Sequence, residues 1–449
     1  LAVDIGIGVS VFRGDGAGGF GARTDLNAGY DAPGDIHVAD LNHDGHADLF
    51  LVDNSSPSLL TWSGQGDLTF EPLVRTPAQG SWKVLAEDLN SDGRLDVVSL
   101  HMGAVTVHLG LASGGLQTRV NLSGAYGGMM VLEDFDQDGV LDLVSGATQG
   151  IRFNKGLGFG DFAPGASFTV YPSTSAGLVA AAGDVDGDGL LDVVVQRAHA
   201  TTGTVFLGDG RGGFPRSRDF TAPQSSRPIL LVVDLNGDGR DDVVSASGYT
   251  YTAAINLSQS AGTFTRQADL AILDSVMASA DFDRDGNPDL AIGDRIFLGA
   301  GDGSFGAPTV LGVARPIVSV TAAEVDRDSK VDLVVGGWNT GLEVFRGDGQ
   351  GAFNKVNTLP LYDKAQAVEV ADLNDDGWPD VVAFDRNRLA VFLGAPGGVV
   401  TSRIGFETGA GGWSGFSSPS SLAVGDVNSD GKLDVLTAGS RPVSALLGR

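Results

Sequence analysis

The residues able to do chemistry in this chain are concentrated in a nine-residue pattern, acid-x-Asp/Asn-x-Asp-Gly-x-x-Asp. It occurs nine times, at intervals of 48, 46, 50, 50, 47, 43, 48 and 54 residues. The copies span residues 40–48, 88–96, 134–142, 184–192, 234–242, 281–289, 324–332, 372–380 and 426–434, each between two apolar runs. Oxygen-bearing side chains at positions one, three, five and nine, with a glycine at six to turn the backbone, form the donor set of a hard cation such as Ca²⁺. The expected ligands are Asp40, Asn42, Asp44 and Asp48; Asp88, Asn90, Asp92 and Asp96; Asp134, Asp136, Asp138 and Asp142; Asp184, Asp186, Asp188 and Asp192; Asp234, Asn236, Asp238 and Asp242; Asp281, Asp283, Asp285 and Asp289; Glu324, Asp326, Asp328 and Asp332; Asp372, Asn374, Asp376 and Asp380; and Asp426, Asn428, Asp430 and Asp434. One such stretch alone would pass for a solvated turn, since Asp, Asn and Gly are ordinary turn residues. Nine in one frame would repel themselves apart without a cation. The last ligand falls at position nine and the flanks look like strands, unlike the twelve-residue loop between helices.

The seventh copy departs from the pattern, with Glu324 at position one and Ser329 in place of the glycine. A residue with a Cβ must there take a conformation that costs it roughly 1 kcal/mol. That loop is expected to bind most weakly, giving eight or nine Ca²⁺ ions in all.

Composition agrees. The pattern positions use 31 of the 56 acidic residues, and nine divalent ions would offset 18 of the formal charge of −27. The remaining acidity excludes a nucleic-acid partner, which needs clustered Lys and Arg. There is no cysteine, so no disulfide helps, and calcium at extracellular concentration is the expected staple. The longest strongly aliphatic run, Ile229 to Val233, is far short of the roughly 18 residues a membrane-spanning helix needs.

Each loop is preceded by a short apolar segment such as Leu231-Val232-Val233 and followed by one such as Leu191-Asp192-Val193-Val194-Val195. About ten residues later a third segment ends in Leu-Gly or Arg-Gly and a glycine-rich turn leads to an aromatic, as in Phe206-Leu207-Gly208 up to Phe214. A fourth, more polar stretch completes the unit. Short runs bounded by Gly, Asn and Asp read as strands. The unit is therefore a four-stranded antiparallel sheet with the calcium loop in its first hairpin. Such a sheet cannot bury both faces alone, so neighbours must stack, and a period near 48 residues predicts a β-propeller-like, all-β array of about nine to ten blades.

The pattern resembles FG-GAP repeats, as in the β-propeller head of integrin α subunits, and the similar VCBS repeats of bacterial surface proteins. Phe305-Gly306-Ala307-Pro308 spells the motif, and Phe20-Gly21-Ala22 nearly does. The resemblance covers essentially residues 1–449, read as one domain that opens with a partial repeat at 1–33. It implies calcium loops at these positions and an extracellular adhesion or binding role. Leu1 to Ile5 matches a segment that follows a calcium loop, and Pro442 to Gly448 ends after a third strand. The chain is thus expected to be a processed product or part of a longer array, with no signal peptide in it. Three strands at the start, eight full repeats and three at the end make closure of a ring an open question.

Calcium loops in the first hairpin place the loops between second and third strands, and between repeats, at the opposite end. That end carries Tyr30, Trp82, Tyr126, Tyr171, Tyr249, Tyr251, Trp338, Tyr362 and Trp413. Aromatics with a polar handle are enriched where a surface meets a sugar or a protein, although they also cap strand ends. This is the expected recognition face. Arg13-Gly14-Asp15 and Arg346-Gly347-Asp348 resemble an integrin ligand, but both sit in the turn after a third strand, where other repeats have Leu207-Gly208-Asp209. Sequons at Asn54, Asn121 and Asn256 matter only in a glycosylating host.

The six histidines (His37, His43, His46, His101, His108 and His199) are scattered, and no nucleophile elbow or zinc helix occurs. A non-enzymatic role is expected. The leading expectation is a secreted or cell-surface binding module for glycan or protein. The alternative is a structural protein that self-assembles into filaments or arrays through unclosed terminal sheets, and a calcium-bearing polysaccharide lyase ranks third.

Overall fold

The computed structural model describes residues 8–446 except 15–19, 28–32, 43, 54–57, 67–68, 78–80, 91, 102–103, 112–115, 124–129, 148, 159–160, 164, 170–177, 227, 339–340, 362–364, 373–375, 386–387, 396–401, 408–420, 426–433 and 439–442. Among these residues there is no helix, and the strands form nine sheets. Eight of them run in chain order through four antiparallel strands, the fifth with a short extra strand, Leu270–Ala271, paired to its third. The fourth is typical: Leu178–Gly183, Asp192–Arg197, Thr202–Leu207 and Arg216–Thr221. In every blade the second strand begins on the aspartate at position nine, as at Asp48, Asp142 and Asp332.

Second and third strands are buried along nearly their whole length, as in Asp242–Ser247 and Gly341–Gly347, because sheets cover them on both faces. Near-continuous Val, Leu and Ala runs suit that position better than strict alternation. First strands such as Ile229–Val233 are half-buried, and fourth strands such as Arg216–Thr221 are mostly exposed. The core is accordingly a series of wedges between successive blades. One wedge joins Val144, Ile151 and Phe153 of the third blade to Val193, Val195 and Phe206 of the fourth; another joins Val334 and Val344 of the seventh to Val381 and Phe392 of the eighth.

Aromatics that follow the glycine-rich turns, Phe162, Phe214, Phe305 and Phe353 among them, belong to these wedges. Phe214 meets Phe135, Phe153 and Phe168 edge to face at centroid distances of 5.9, 5.9 and 5.3 Å, an arrangement favoured by the ring quadrupoles. The turn can approach only because Gly212 has no side chain: a Cβ there would lie 2.3 Å from the Phe153 ring. The same seat recurs for Gly262 on Leu207, Gly303 on Leu257 and Gly351 on Leu298, each time reaching the preceding blade.

The ninth sheet uses both ends of the chain, in the order Phe20–Asn27, Gly8–Gly14, Val443–Leu446, Asp434–Ala438, Ser421–Gly425. Its strand Ser421–Gly425 lies against the first strands of both the eighth and the first blades, so the succession of blades returns on itself. Gly8–Gly14 pairs in parallel with Val443–Leu446, whereas every other strand pair is antiparallel. The reason is that both are third strands of a repeat: Val11-Phe12-Arg13-Gly14 matches Val344-Phe345-Arg346-Gly347, so the two run the same way when placed side by side. The terminal strands that self-assembly through open sheets would require thus pair with one another. Leu1 to Ile5, read as a further strand, lies outside the described residues.

Replacing Phe214 by Ala should destabilise the protein by about 3–5 kcal/mol, the cost of emptying a buried aromatic site. The measurement is the shift in urea midpoint, and a loss below about 1 kcal/mol would show that the aromatic does not join the blades.

Candidate metal loops and the opposite face

The loops are built from backbone N–H groups turned onto side-chain oxygens. The carboxylate at position one accepts from the amides of positions five and six: Asp44 N to Asp40 Oδ1 at 3.1 Å and Gly45 N to Asp40 Oδ2 at 2.8 Å, with equivalent pairs on Asp88, Asp134, Asp184, Asp234 and Asp281. The carboxylate at position five accepts from the amide at position seven, as in Arg240 N to Asp238 Oδ1 at 3.0 Å. Position six is left-handed throughout the described loops, with φ from +79° to +90° at the glycines. A Cβ at Gly45, Gly93, Gly139, Gly189, Gly239 or Gly286 would meet nothing within 4 Å, so backbone conformation alone selects glycine there. Ser329 does take the expected left-handed conformation, at φ +63°. The longer Glu324 still accepts from Asp328 N and Ser329 N, both at 3.0 Å, so the divergent loop keeps its shape.

The aspartate at position nine has a second role that its spacing did not reveal. Asp48, Asp96, Asp142, Asp192, Asp242, Asp289, Asp332 and Asp380 are all 0% exposed. In seven of them Oδ2 accepts from the amide at position two, as in Val185 N to Asp192 at 2.9 Å. Oδ1 accepts from the amide that closes the third strand, as in Gly208 N to Asp192 at 2.8 Å and Gly394 N to Asp380 at 2.6 Å. That residue is the glycine of Leu-Gly and Arg-Gly. A Cβ on Gly64, Gly156, Gly208 or Gly347 would stand 2.1–2.4 Å from the carbonyl oxygen at position eight. The fifth blade has Ser258 instead, and its hydroxyl donates to that same carbonyl, of Asp241, at 2.6 Å. Burial raises these carboxyls above the usual range, to about 6 for Asp48, Asp96, Asp142, Asp289 and Asp332 and about 7 for Asp192 and Asp242, against the lowering effect of the two amides.

Among the described residues, ligand oxygens converge in four loops. Positions one, three and nine come within 4.8 Å of one another in Asp134/Asp136/Asp142, Asp184/Asp186/Asp192 and Glu324/Asp326/Asp332, as do positions one, three and five in Asp281/Asp283/Asp285. Each group can hold a metal ion. Buried oxygens of Asp136 and Asp186 at position three, and of Asp372 at position one, lack any hydrogen-bond partner, which a cation would supply. Position five of the third and seventh loops instead faces a lysine: Lys155 Nζ lies 2.7 Å from Asp138, and Lys330 Nζ 2.7 Å from Asp328. Sequence reading missed these cations. Lys155 also pairs with Asp136, Arg216 with Asp186 at 3.2 Å, and Arg346 with Asp326, all reaching position three from the third or fourth strand side of the blade. The basic residue at the end of the third strand, Arg346 in one repeat where others have Leu, was the available signal.

The same contacts decide the role of Arg346-Gly347-Asp348. Arg346 pairs with Asp326, Gly347 N donates to Asp332, and Asp348 Oδ1 accepts from Gln350 N and Ala352 N at 2.7 and 3.0 Å. The tripeptide serves the loop and its own turn. Asn374 and residues 426–433, with Asp426, Asn428 and Asp430, lie outside the described residues; Asp434 opens the second strand of the ninth sheet.

At the opposite end, Tyr249 and Tyr251 occupy the hairpin between second and third strands of the fifth blade, 75% and 56% exposed, and Trp338 the equivalent hairpin of the seventh, 43% exposed. Trp82 is corrected: it belongs to the strand Ser81–Glu87, at the register shift between Ser81 and Lys83, because extended pairing begins earlier than the turn residues suggested. Tyr30, Tyr126, Tyr171, Tyr362 and Trp413 lie outside the described residues. No described helix is long and apolar enough to cross a membrane.

The model of the FG-GAP-like repeat matches residues 40–99, 88–145, 134–195, 234–292, 281–335, 325–383 and 372–437, most of the chain. The chain belongs to the FG-GAP-like repeat family. No curated protein sequence matches it. Among solved structures, this FG-GAP-like protein is similar to Saccharomyces cerevisiae Sqt1 at 12% identity and TM-score 0.52, over 85% of this chain and 96% of that one. It is also similar to an Agrocybe aegerita lectin described as recognising non-reducing terminal N-acetylglucosamine, at 19% identity and TM-score 0.43 over 74% and 82% of the two chains. The V. cholerae biofilm matrix protein Bap1 aligns at 15% identity and TM-score 0.49 over 96% and 88%. At these identities the likeness concerns fold alone.

Two outcomes follow for the FG-GAP-like loops. Gly208→Ala, which drives a methyl into the Leu191 carbonyl, should cost about 1–3 kcal/mol in denaturant unfolding. In excess chelator, the raised carboxyls at position nine make the folded chain bind more protons than the unfolded one between about pH 4 and pH 7. The chelated protein should therefore melt higher at pH 5 than at pH 7.5; a melting temperature that rises over this interval would contradict the burial of these side chains.

Proposed function

We propose that this FG-GAP-like chain is a calcium-stabilised, secreted or cell-surface binding module that recognises glycan or protein through the face opposite its loops. The observation that carries the binding half is the exposure of Tyr249, Tyr251 and Trp338 in hairpins at one end of a ring whose other end holds the acidic loops. Large aromatic rings held on short hairpins lose little side-chain freedom on binding, and a phenol or indole adds a hydrogen-bonding edge. Calcium is supported by the all-oxygen donor set and by the unpartnered buried oxygens of Asp136, Asp186 and Asp372. The residues that would hold it are those of positions one, three and nine, with position five released from its lysine. When bound, the ion would neutralise carboxylates that otherwise repel, and so stiffen the hairpin from which each blade grows. The role is non-enzymatic in this reading, with no nucleic-acid partner.

Chelation should lower the melting temperature at pH 7.5, and calcium should restore it. A glycan array and pull-downs from extracellular protein should give calcium-dependent partners, with binding reduced at least tenfold by joint replacement of Tyr249, Tyr251 and Trp338 by Ala. Binding that survives the triple replacement would remove this face from the proposal, and a melting temperature indifferent to chelator would remove calcium.

A further inference from the structure

Among the described residues, buried carboxylate oxygens without a hydrogen-bond partner occur in two settings. One is positions one and three of the metal loops; the other is Asp274 and Asp294, at the opposite end of the sixth blade. Asp274 precedes the first strand of that blade, Met277–Ala280, and Asp294 sits in the turn between its second and third strands. The two side-chain-bearing residues are 8% and 5% exposed. They are held together by the chain: Gly293 N donates to the Val276 carbonyl at 2.9 Å, and a Cβ on Gly293 would lie 3.2 Å from Asp274 Oδ2. Asp274 Oδ1 is satisfied by Ile317 N at 3.3 Å and Arg315 at 3.2 Å, whereas its Oδ2 is not. Among the described residues, Asp294 Oδ1 has no hydrogen-bond partner and Asp294 no ion-pair partner. Its neighbour Arg295 turns Nη1 to the Ala271 carbonyl at 2.6 Å, and its own buried Nε has no hydrogen-bond partner.

We propose that Asp274 Oδ2 and Asp294 Oδ1 hold a hard divalent cation, calcium in the protein's own medium, at a site separate from the acidic loops. Arg315 pairs with Asp274 alone, and a buried carboxylate oxygen that no donor reaches is costly unless a cation meets it. Both free oxygens lie beneath the turn rather than on its surface, which suits an ion and not a sugar hydroxyl. With two carboxylates rather than three or four, and water or carbonyls completing the shell, the affinity belongs to the weak extracellular range of about 10⁻⁴–10⁻³ M. The site would also brace the recognition face. Ile272 N, two residues before Asp274, donates to the Tyr251 carbonyl at 3.1 Å, and Trp338 N donates to the carbonyl of Pro316, next to Ile317, at 2.9 Å. The ion would therefore tie together segments that position the exposed aromatics of the fifth and seventh blades.

The test uses the full chain and calcium chloride alone. Calcium per chain is counted by atomic emission after dialysis against millimolar calcium, for the wild type, Asp294→Asn and the loop control Asp134→Asn, and each is melted in calcium and in chelator. Asp294→Asn should lose one ion and melt below the wild type in calcium, then above it in chelator, where removing a buried like charge is a relief. An unchanged count in Asp294→Asn overturns the site whichever way melting moves. The control separates the two readings: if Asp134→Asn loses nothing while Asp294→Asn loses one ion, the loop assignment fails and this one stands.

Discussion

The structure depends on one buried aspartate in each of the first eight blades. From the start of the second strand it ties the head of its own loop to the end of the third strand through two amide hydrogen bonds, in a setting with no water to compete. A charged acceptor of amide protons is stronger than a neutral one, but it must first be stripped of solvent, and burial here pushes the carboxyl up to about 6 or 7. The arrangement is stable as an anion only if positive charge is close by. Two amide dipoles supply part of it, and convergent loop oxygens such as those of Asp184 and Asp186 mark where a cation would supply the rest. Stability of the hairpin and acidity of the loop are therefore one problem.

The glycine after the third strand follows from the same constraint. Its amide must reach the aspartate while its α-carbon passes over the carbonyl one residue before that aspartate. Only hydrogen fits, except where a hydroxyl can turn the clash into a bond, as Ser258 does. A loop at one end of the first hairpin thus dictates the residue type at the end of the third strand, ten to sixteen positions later. The repeat is coherent because the residues that recur in it touch.

How far this was readable from sequence differs by residue. Strand content, antiparallel order, the left-handed position six and the strain at Ser329 followed from local rules, since each is fixed by neighbours in the chain. The burial of position nine was not legible, because the pattern gives an oxygen inventory and not the direction in which each oxygen faces. Lys155, Arg216 and Arg346 were missed for a related reason: they reach the loops across the blade, and the one local mark was a basic residue at Arg346 where other repeats have Leu. Trp82 was placed in a loop because its surroundings are polar and glycine-bearing, while pairing with the adjacent strand carried the extended conformation past it. The pairing of the two chain ends is a property of the whole ring, visible only in the sequence likeness of Gly8–Gly14 to a third strand.

The loops do not act singly. Gln137, at position four of the third loop, donates to the carbonyl of Gly189 at position six of the fourth, at 2.8 Å. Asp241, at position eight of the fifth loop, exchanges two hydrogen bonds with the backbone of Asp184, which opens the fourth, at 3.0 and 2.8 Å. Arg327 of the seventh loop lies over the Trp378 ring of the eighth, 5.7 Å from its centroid. Each contact spans two blades at the end of the ring where carboxylates are densest. A cation that fixed one loop would also fix the residue its neighbour leans on, so part of the entropy of ordering the second loop would already be removed before an ion reached it. The acidic loops are thus linked from the third blade to the fifth and from the seventh to the eighth, and strands only six or seven residues long separate them from the opposite hairpins.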